Sequence, residues 1–199
     1  TDDDFNGSTL GLQWQWQANP NRDWYAVGSG LRLYILPCVR GESLLWYMPN
    51  VLTQMPQREE FTMEAKLELN AEKDGDETGI AVMGHCYSAL ALARSGDGCE
   101  LRLYQGTVTK QTPEGEAEEK TVRVIPWAGD SAILCLHFRA GGRVGYGYLT
   151  PTGEELLPEE FPAAKSTWSG AKPALFARNI RNEKGGCGRF RSVRFTKEG

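Results

Sequence analysis

Apolar and polar positions alternate with a period of two along most of this chain. Phe61, Met63, Ala65, Leu67 and Leu69 fall on one side of a stretch whose other side carries Thr62, Glu64, Lys66 and Glu68. That pattern predicts a β-strand with one face in a core and the other in water. The same period predicts strands at Leu31–Leu36, Gly79–Met83, Tyr87–Ala93, Glu100–Tyr104, Thr121–Ile125, Ala132–Phe138, Val144–Leu149, Pro173–Ala177 and Arg189–Phe195. Lys73–Asp76, Arg94–Gly98 and Ala140–Gly142 carry turn chemistry between them. Helical spacing is nowhere sustained beyond about two turns, and strands do not alternate with helices. Many short strands in 199 residues predict an all-β chain folded as a two-sheet antiparallel β-sandwich of jelly-roll type. No repeat or low-complexity linker divides it, so residues 1–199 are expected to form one domain.

The alternation is sharpest at Leu12–Gln17, where Trp14 and Trp16 share one face and Gln13, Gln15 and Gln17 the other. Indoles match the apolar C–H faces of sugars, and carboxamides match their hydroxyls. Placed at the start of a sandwich strand, the two rings are expected in the core, leaving Gln13 and Gln15 as the groups able to meet a sugar. Gln54, at the end of Val51-Leu52-Thr53-Gln54, joins them. Trp24, Trp46, Tyr47 and Trp168 lie in more loop-like sequence, where rings are exposed more often.

A formal net charge of -4 offers no Lys/Arg surplus for a nucleic-acid partner. No apolar run reaches the roughly 18 residues of a transmembrane helix. The five cysteines, at 38, 86, 99, 135 and 187, cannot all pair within the chain. Cys135, inside Ile133-Leu134-Cys135-Leu136, reads as a small buried hydrophobe. A zinc site from His85, Cys86 and Cys99 would need unusual ligand spacing.

Signals for catalysis are weak. Glycoside hydrolysis needs two carboxylates facing each other across the scissile bond. None of the predicted strands carries the Glu-x-Asp-x-x-Glu pattern that supplies them in sandwich enzymes. His137, between Leu136 and Phe138, reads as a hydrogen-bonded structural histidine. No cofactor is required. Asp3 and Asp4, in the acidic start of the chain, are the candidates for a structural calcium, whereas Asp74-x-Asp76 reads as a hairpin turn. The acidic run within Thr112–Lys120 reads as a solvated hairpin tip.

Several segments together carry a resemblance. Asp3-Asp4-Phe5-Asn6-Gly7, Leu10 to Trp16 and Asn19-Pro20 are followed by Leu31-Arg32-Leu33, Leu45-Trp46 and Pro49-Asn50-Val51-Leu52-Thr53-Gln54. Glu60-Phe61-Thr62, Gly79 to Gly84, Trp168-Ser169-Gly170-Ala171-Lys172 and Leu175-Phe176 complete the series. In this order they resemble the C-terminal concanavalin A-like module of glycoside hydrolase family 43 β-xylosidases and arabinofuranosidases. The resemblance implies a xylan-associated carbohydrate-binding β-sandwich, accessory to a catalytic propeller domain that holds the catalytic carboxylates. It therefore implies xylan or xylo-oligosaccharide and the propeller as partners. The location stays open, with a secreted or cell-envelope one favoured over the cytoplasm. No propeller is present in this chain, so hydrolysis does not carry over. In some family members an aromatic residue of the module reaches into the propeller's active site, and Trp168 is the matching position. The family's Asp-rich C-terminal strand is replaced by Arg189-Phe190-Arg191-Ser192-Val193-Arg194. Two roles follow as expectations: a sugar-binding module using the concave sheet, or a buttress that completes a catalytic domain's pocket and exposes an apolar patch edged by Trp168.

Overall fold

The computed structural model describes residues 1–38, 40–56, 58–108, 117–163 and 170–197. Its strands, in chain order, begin with β1 (Trp14–Trp16), β2 (Tyr25–Val27), β3 (Leu31–Tyr34), β4 (Leu52–Gln54) and β5 (Phe61–Asn70). They continue with β6 (Asp76–Met83), β7 (Tyr87–Ser95), β8 (Gly98–Val108), β9 (Ala117–Trp127) and β10 (Ser131–Arg139). The last are β11 (Arg143–Thr150), β12 (Gly153–Pro162), β13 (Lys172–Asn179) and β14 (Cys187–Thr196). Among the described residues the only helix is a three-residue 3-10 turn at Arg22–Trp24. The strands form two seven-stranded antiparallel sheets, in the order β1-β4-β13-β6-β7-β8-β9 (sheet I) and β12-β11-β10-β5-β14-β3-β2 (sheet II). The predicted all-β sandwich is the observed fold.

The core lies between the sheets. β5 contributes all five of its predicted apolar side chains, opposite Ile80 and Val82 of β6, Leu90 and Leu92 of β7, and Leu101 and Leu103 of β8. On β14, Phe190 and Val193 both point inward although they are three positions apart. A register shift between Phe190 and Ser192 makes this possible by inserting one residue into the strand. The extra residue, Arg191, reaches the Glu68 carboxylate with two hydrogen bonds of 2.8 and 3.0 Å.

The central strands of sheet I are buried on both faces. Its outer face carries Ala81, Met83, Tyr87, Ala89, Ala91, Tyr104, Ala174 and Phe176, covered by Cys38, Leu45, Met48 and Val51. These last residues belong to the connection between β3 and β4, which folds back over the sheet. Alanine at the outward positions of β7 makes room for that second layer, whereas Leu90 and Leu92 fill the main core.

Two stretches depart from the sequence reading. Gly153–Pro162 forms β12, an edge strand that pairs only with β11 and is largely exposed. Having solvent on most sides, it lacks an alternating pattern, and Pro158 sits where pairing with β11 is irregular. Residues 117–120, assigned to a solvated tip, belong to β9, and Glu119 enters the covered face of sheet I. Residues 112–116 of that expected tip lie outside the described residues.

Candidate functional site

A charged network lies between the β3–β4 connection and the outer face of sheet I. Arg178 of β13 and Glu77 of β6 have no exposed surface. Arg178 Nε donates to Glu77 Oε1 at 2.6 Å, and its two Nη atoms form a fork to Glu119 at 2.8 and 2.9 Å. Nη1 also donates to the Ser43 carbonyl at 2.7 Å, tying the covering connection to the sheet. Tyr104 donates to Glu77 Oε2 at 2.7 Å, Tyr87 donates to Glu119, and the Arg178 guanidinium lies over the Tyr104 ring. Burial pushes the Glu77 carboxyl above its ordinary range despite Arg178 beside it. Burial opposes the charge on Arg178, but Glu77 and Glu119 outweigh it and raise its pKa well above normal.

Both carboxylates are thus committed to one guanidinium beneath a covering layer, which gives them a structural use. Gly106 is part of the same packing: a Cβ there would overlap the Tyr87 ring. Gly106→Ala is expected to displace Tyr87 from Glu119 and destabilise the domain by about 1 to 3 kcal/mol. An unchanged chemical-denaturation midpoint would show that Tyr87 can move freely.

The expected sugar-binding amides separate. Gln13 Nε2 donates to Asp3 Oδ2 at 2.9 Å, beside the Trp14 indole, which donates to the same oxygen at 2.8 Å. Trp14 is in the main core, as its place in the alternation implied. Gln54 is buried, and its amide bonds the backbone of Thr1 at 2.9 and 3.0 Å. Gln15 remains exposed on the outer face, where Lys172 Nζ donates to its Oε1 at 3.1 Å. Trp24 packs edge-on against Trp16, with centroids 5.7 Å apart, and Tyr25 also contacts Trp16. Tyr47 is half-buried beneath the Arg40 guanidinium, and Trp168 lies outside the described residues.

The acidic start of the chain engages protein partners. Asp3 pairs through its backbone with Val193, and its Oδ1 accepts from the Phe5 N–H at 2.7 Å. The Asp4 carboxylate pairs with Arg194. The arginine-rich strand β14 therefore supplies positive charge to this cluster. His85 and Cys86 lie in the turn between β6 and β7, whereas Cys99 pairs with Arg94 at the far end of β7, so the zinc grouping does not form. His137 contacts Thr62 and Glu154, as a structural histidine should.

One groove contains a single predicted site residue, Trp46. Trp16, Gln17, Trp46, Thr53, Met83, Gly84 and Lys172 line a space of about 320 Å³ where β1, β4, β13 and the end of β6 meet the β3–β4 connection. Trp46 is fixed there: its Nε1 donates to the Gly84 carbonyl at 2.8 Å, and its ring meets Tyr87 edge-on at 4.6 Å. Gln17 Nε2 donates to the Leu45 and Trp46 carbonyls at 3.3 and 2.6 Å. The sequence reading placed Gln17 on the correct face but did not select it as a site residue.

Residues 2–196 match the family described as beta xylosidase C-terminal concanavalin A-like domain. The chain belongs to this family. Solved structures with the same fold include the GH43 protein BlXynB from Bacillus licheniformis, 16% identical with a TM-score of 0.77. Others are a bifunctional GH43-CE protein from Bacteroides eggerthii, at 19% and 0.82, and a xylan beta-1,4-xylosidase from Bacillus halodurans C-125, at 18% and 0.77. The chain is covered over 99%, 100% and 99% of its length in these comparisons, but spans only 39%, 26% and 39% of those proteins. No curated protein matches the sequence. In this family member the covered sheet and the Trp46 groove lie on the same side of the sandwich.

Proposed function

We propose that this GH43 C-terminal module is a non-catalytic accessory domain. It buttresses the catalytic domain of a xylan-degrading enzyme and does not hold a polysaccharide along its own sheet. The observation that carries this reading is the covered outer face of sheet I, where Leu45, Met48 and Val51 are buried against the strands. A long glycan would have to displace that layer, and Gln13 and Gln54 already serve internal hydrogen bonds. Exposed Val122 and Val124 on β9 and Leu156 on β12 supply apolar surface of the kind a docking partner covers. Arg123 of β9 pairs with Glu159 of β12, bringing these two edge strands together.

The test has two arms. Affinity electrophoresis should show no retardation of the isolated chain by neutral arabinoxylan. Deleting the module from its parent enzyme should lower kcat/KM on xylo-oligosaccharides by at least about tenfold, a transition-state loss of roughly 1.4 kcal/mol. Retardation by arabinoxylan with a Kd below about 1 mM, or full activity without the module, would overturn the buttress reading.

A further inference from the structure

The Trp46 groove is where sugar chemistry remains open, and it is cationic. Lys172 lines it, and the partner found for its ammonium among the described residues is the neutral Gln15 amide, with no carboxylate in an ion pair. Across Trp46, Arg40 stacks on Tyr47 and likewise has no carboxylate partner among the described residues. Among the described residues, Gln17 spends its Nε2 on two carbonyls and keeps Oε1 open as an acceptor, while Gln15 spends Oε1 on Lys172 and keeps Nε2 open as a donor. The indole is held in place before any ligand arrives, so stacking on it costs little side-chain entropy. An apolar ring, one acceptor and one cation line a space of about 320 Å³, and the Gln15 donor lies beside it, bonded to Lys172; together they match a single sugar ring bearing a carboxylate.

We propose that this groove is a subsite for a hexuronic acid residue, at an end or on a branch of a glycan. Its carboxylate meets Lys172, its ring lies against Trp46, and its hydroxyls exchange hydrogen bonds with Gln15 and Gln17. The choice of a sugar over another carboxylate rests on the reading of this chain as a module of a carbohydrate-active enzyme. Neutral xylan lacks the anion, so this proposal is compatible with the expected absence of arabinoxylan binding. An exposed ammonium gains more from a charged hydrogen bond than from a neutral one, and added salt weakens that gain.

The test is titration calorimetry of the isolated chain with glucuronic-acid-substituted xylotriose, against the same oligosaccharide with its carboxyl reduced to an alcohol. The acid form is expected to bind at least about tenfold more tightly, with affinity falling as salt rises. Lys172→Gln should reduce binding of the acid form to the level of the reduced form, and Lys172→Arg should retain most of it. Thermal denaturation of both variants checks that they stay folded. Absence of binding by the unmodified protein, equal binding of the two oligosaccharides, or unchanged affinity in a folded Lys172→Gln variant each overturns the proposal. These outcomes are distinct from failure of the buttress reading, which depends on the parent enzyme and on neutral arabinoxylan.

Discussion

Replacing Arg178 with methionine is expected to lower the thermal midpoint at neutral pH by roughly 6 to 20 °C. The estimate follows from breaking a buried ion pair, about 3 to 5 kcal/mol, spread over a domain of this size. Methionine fills much of the volume but leaves Glu77 buried and charged with only Tyr104 and the more distant Arg102 to face it. The Ser43 carbonyl and the Glu119 fork lose their donor at the same time. Part of the loss should be recovered by combining Arg178→Met with Glu77→Gln and Glu119→Gln, because the uncompensated charge is then gone. If the triple variant is no more stable than the single one, the network is not held by charge.

The same site gives a pH dependence of known sign. The Glu77 carboxyl sits above its ordinary value of 4.5, chiefly through burial. A carboxyl raised on folding binds its proton more readily in the folded state. Its stabilising contribution is therefore full below the unfolded value and is lost as pH rises through the folded pKa. Arg178 opposes the rise in the intact protein, so removing it should enlarge the effect. The midpoint difference between Arg178→Met and the unmodified protein should narrow as pH falls from neutral toward the ordinary carboxyl range. A constant or widening difference would place the lost energy elsewhere, in packing against Tyr104 or in the Ser43 contact.

The sandwich was legible because β5 separates apolar from polar positions without exception, as a strand with one wet face must. β6 and β7 showed their strand character but not the second layer above them. The signal was present in Ala89 and Ala91, where a wet face would carry polar side chains. Reading it would have required knowing that the segment around Leu45 and Met48 folds back, a contact far from those strands in sequence. Arg178 and Glu119 were illegible for a related reason. Glu119 sits in a run of acids that looks solvated, and only the pairing of β8 with β9 brings it over the sheet. The site amides were legible by face but not by partner. Alternation put Gln13, Gln15 and Gln17 on one side, yet Asp3 takes Gln13 while Lys172 takes Gln15.

Asp76→Ala is the second substitution expected to have a large effect, and it bears on the turn between β5 and β6. The Asp76 carboxylate is buried and surrounded by donors. Oδ2 accepts from the backbone N–H groups of Glu72, Lys73 and Gly186 at 2.9, 3.1 and 3.0 Å, and Oδ1 accepts from Asn179 Nδ2 at 2.8 Å. One side chain thereby ties the β5–β6 turn to the end of β13 and to the segment entering β14. Gly185 leaves room for it, since a Cβ there would overlap the carboxylate. Alanine would leave these donors without their buried acceptor, at a cost of about 2 to 5 kcal/mol. The thermal midpoint should fall by roughly 4 to 20 °C, and amide exchange at Lys73 and Gly186 should accelerate more than at the centre of β7. Asparagine should recover only part of the loss. It keeps one oxygen for the backbone donors, but its NH2 then faces the Asn179 amide donor, whose own oxygen is held by the Arg181 N–H at 2.8 Å. Full stability in Asp76→Asn would mean that the Asn179 amide can turn over, freeing the site from any need for a negative charge.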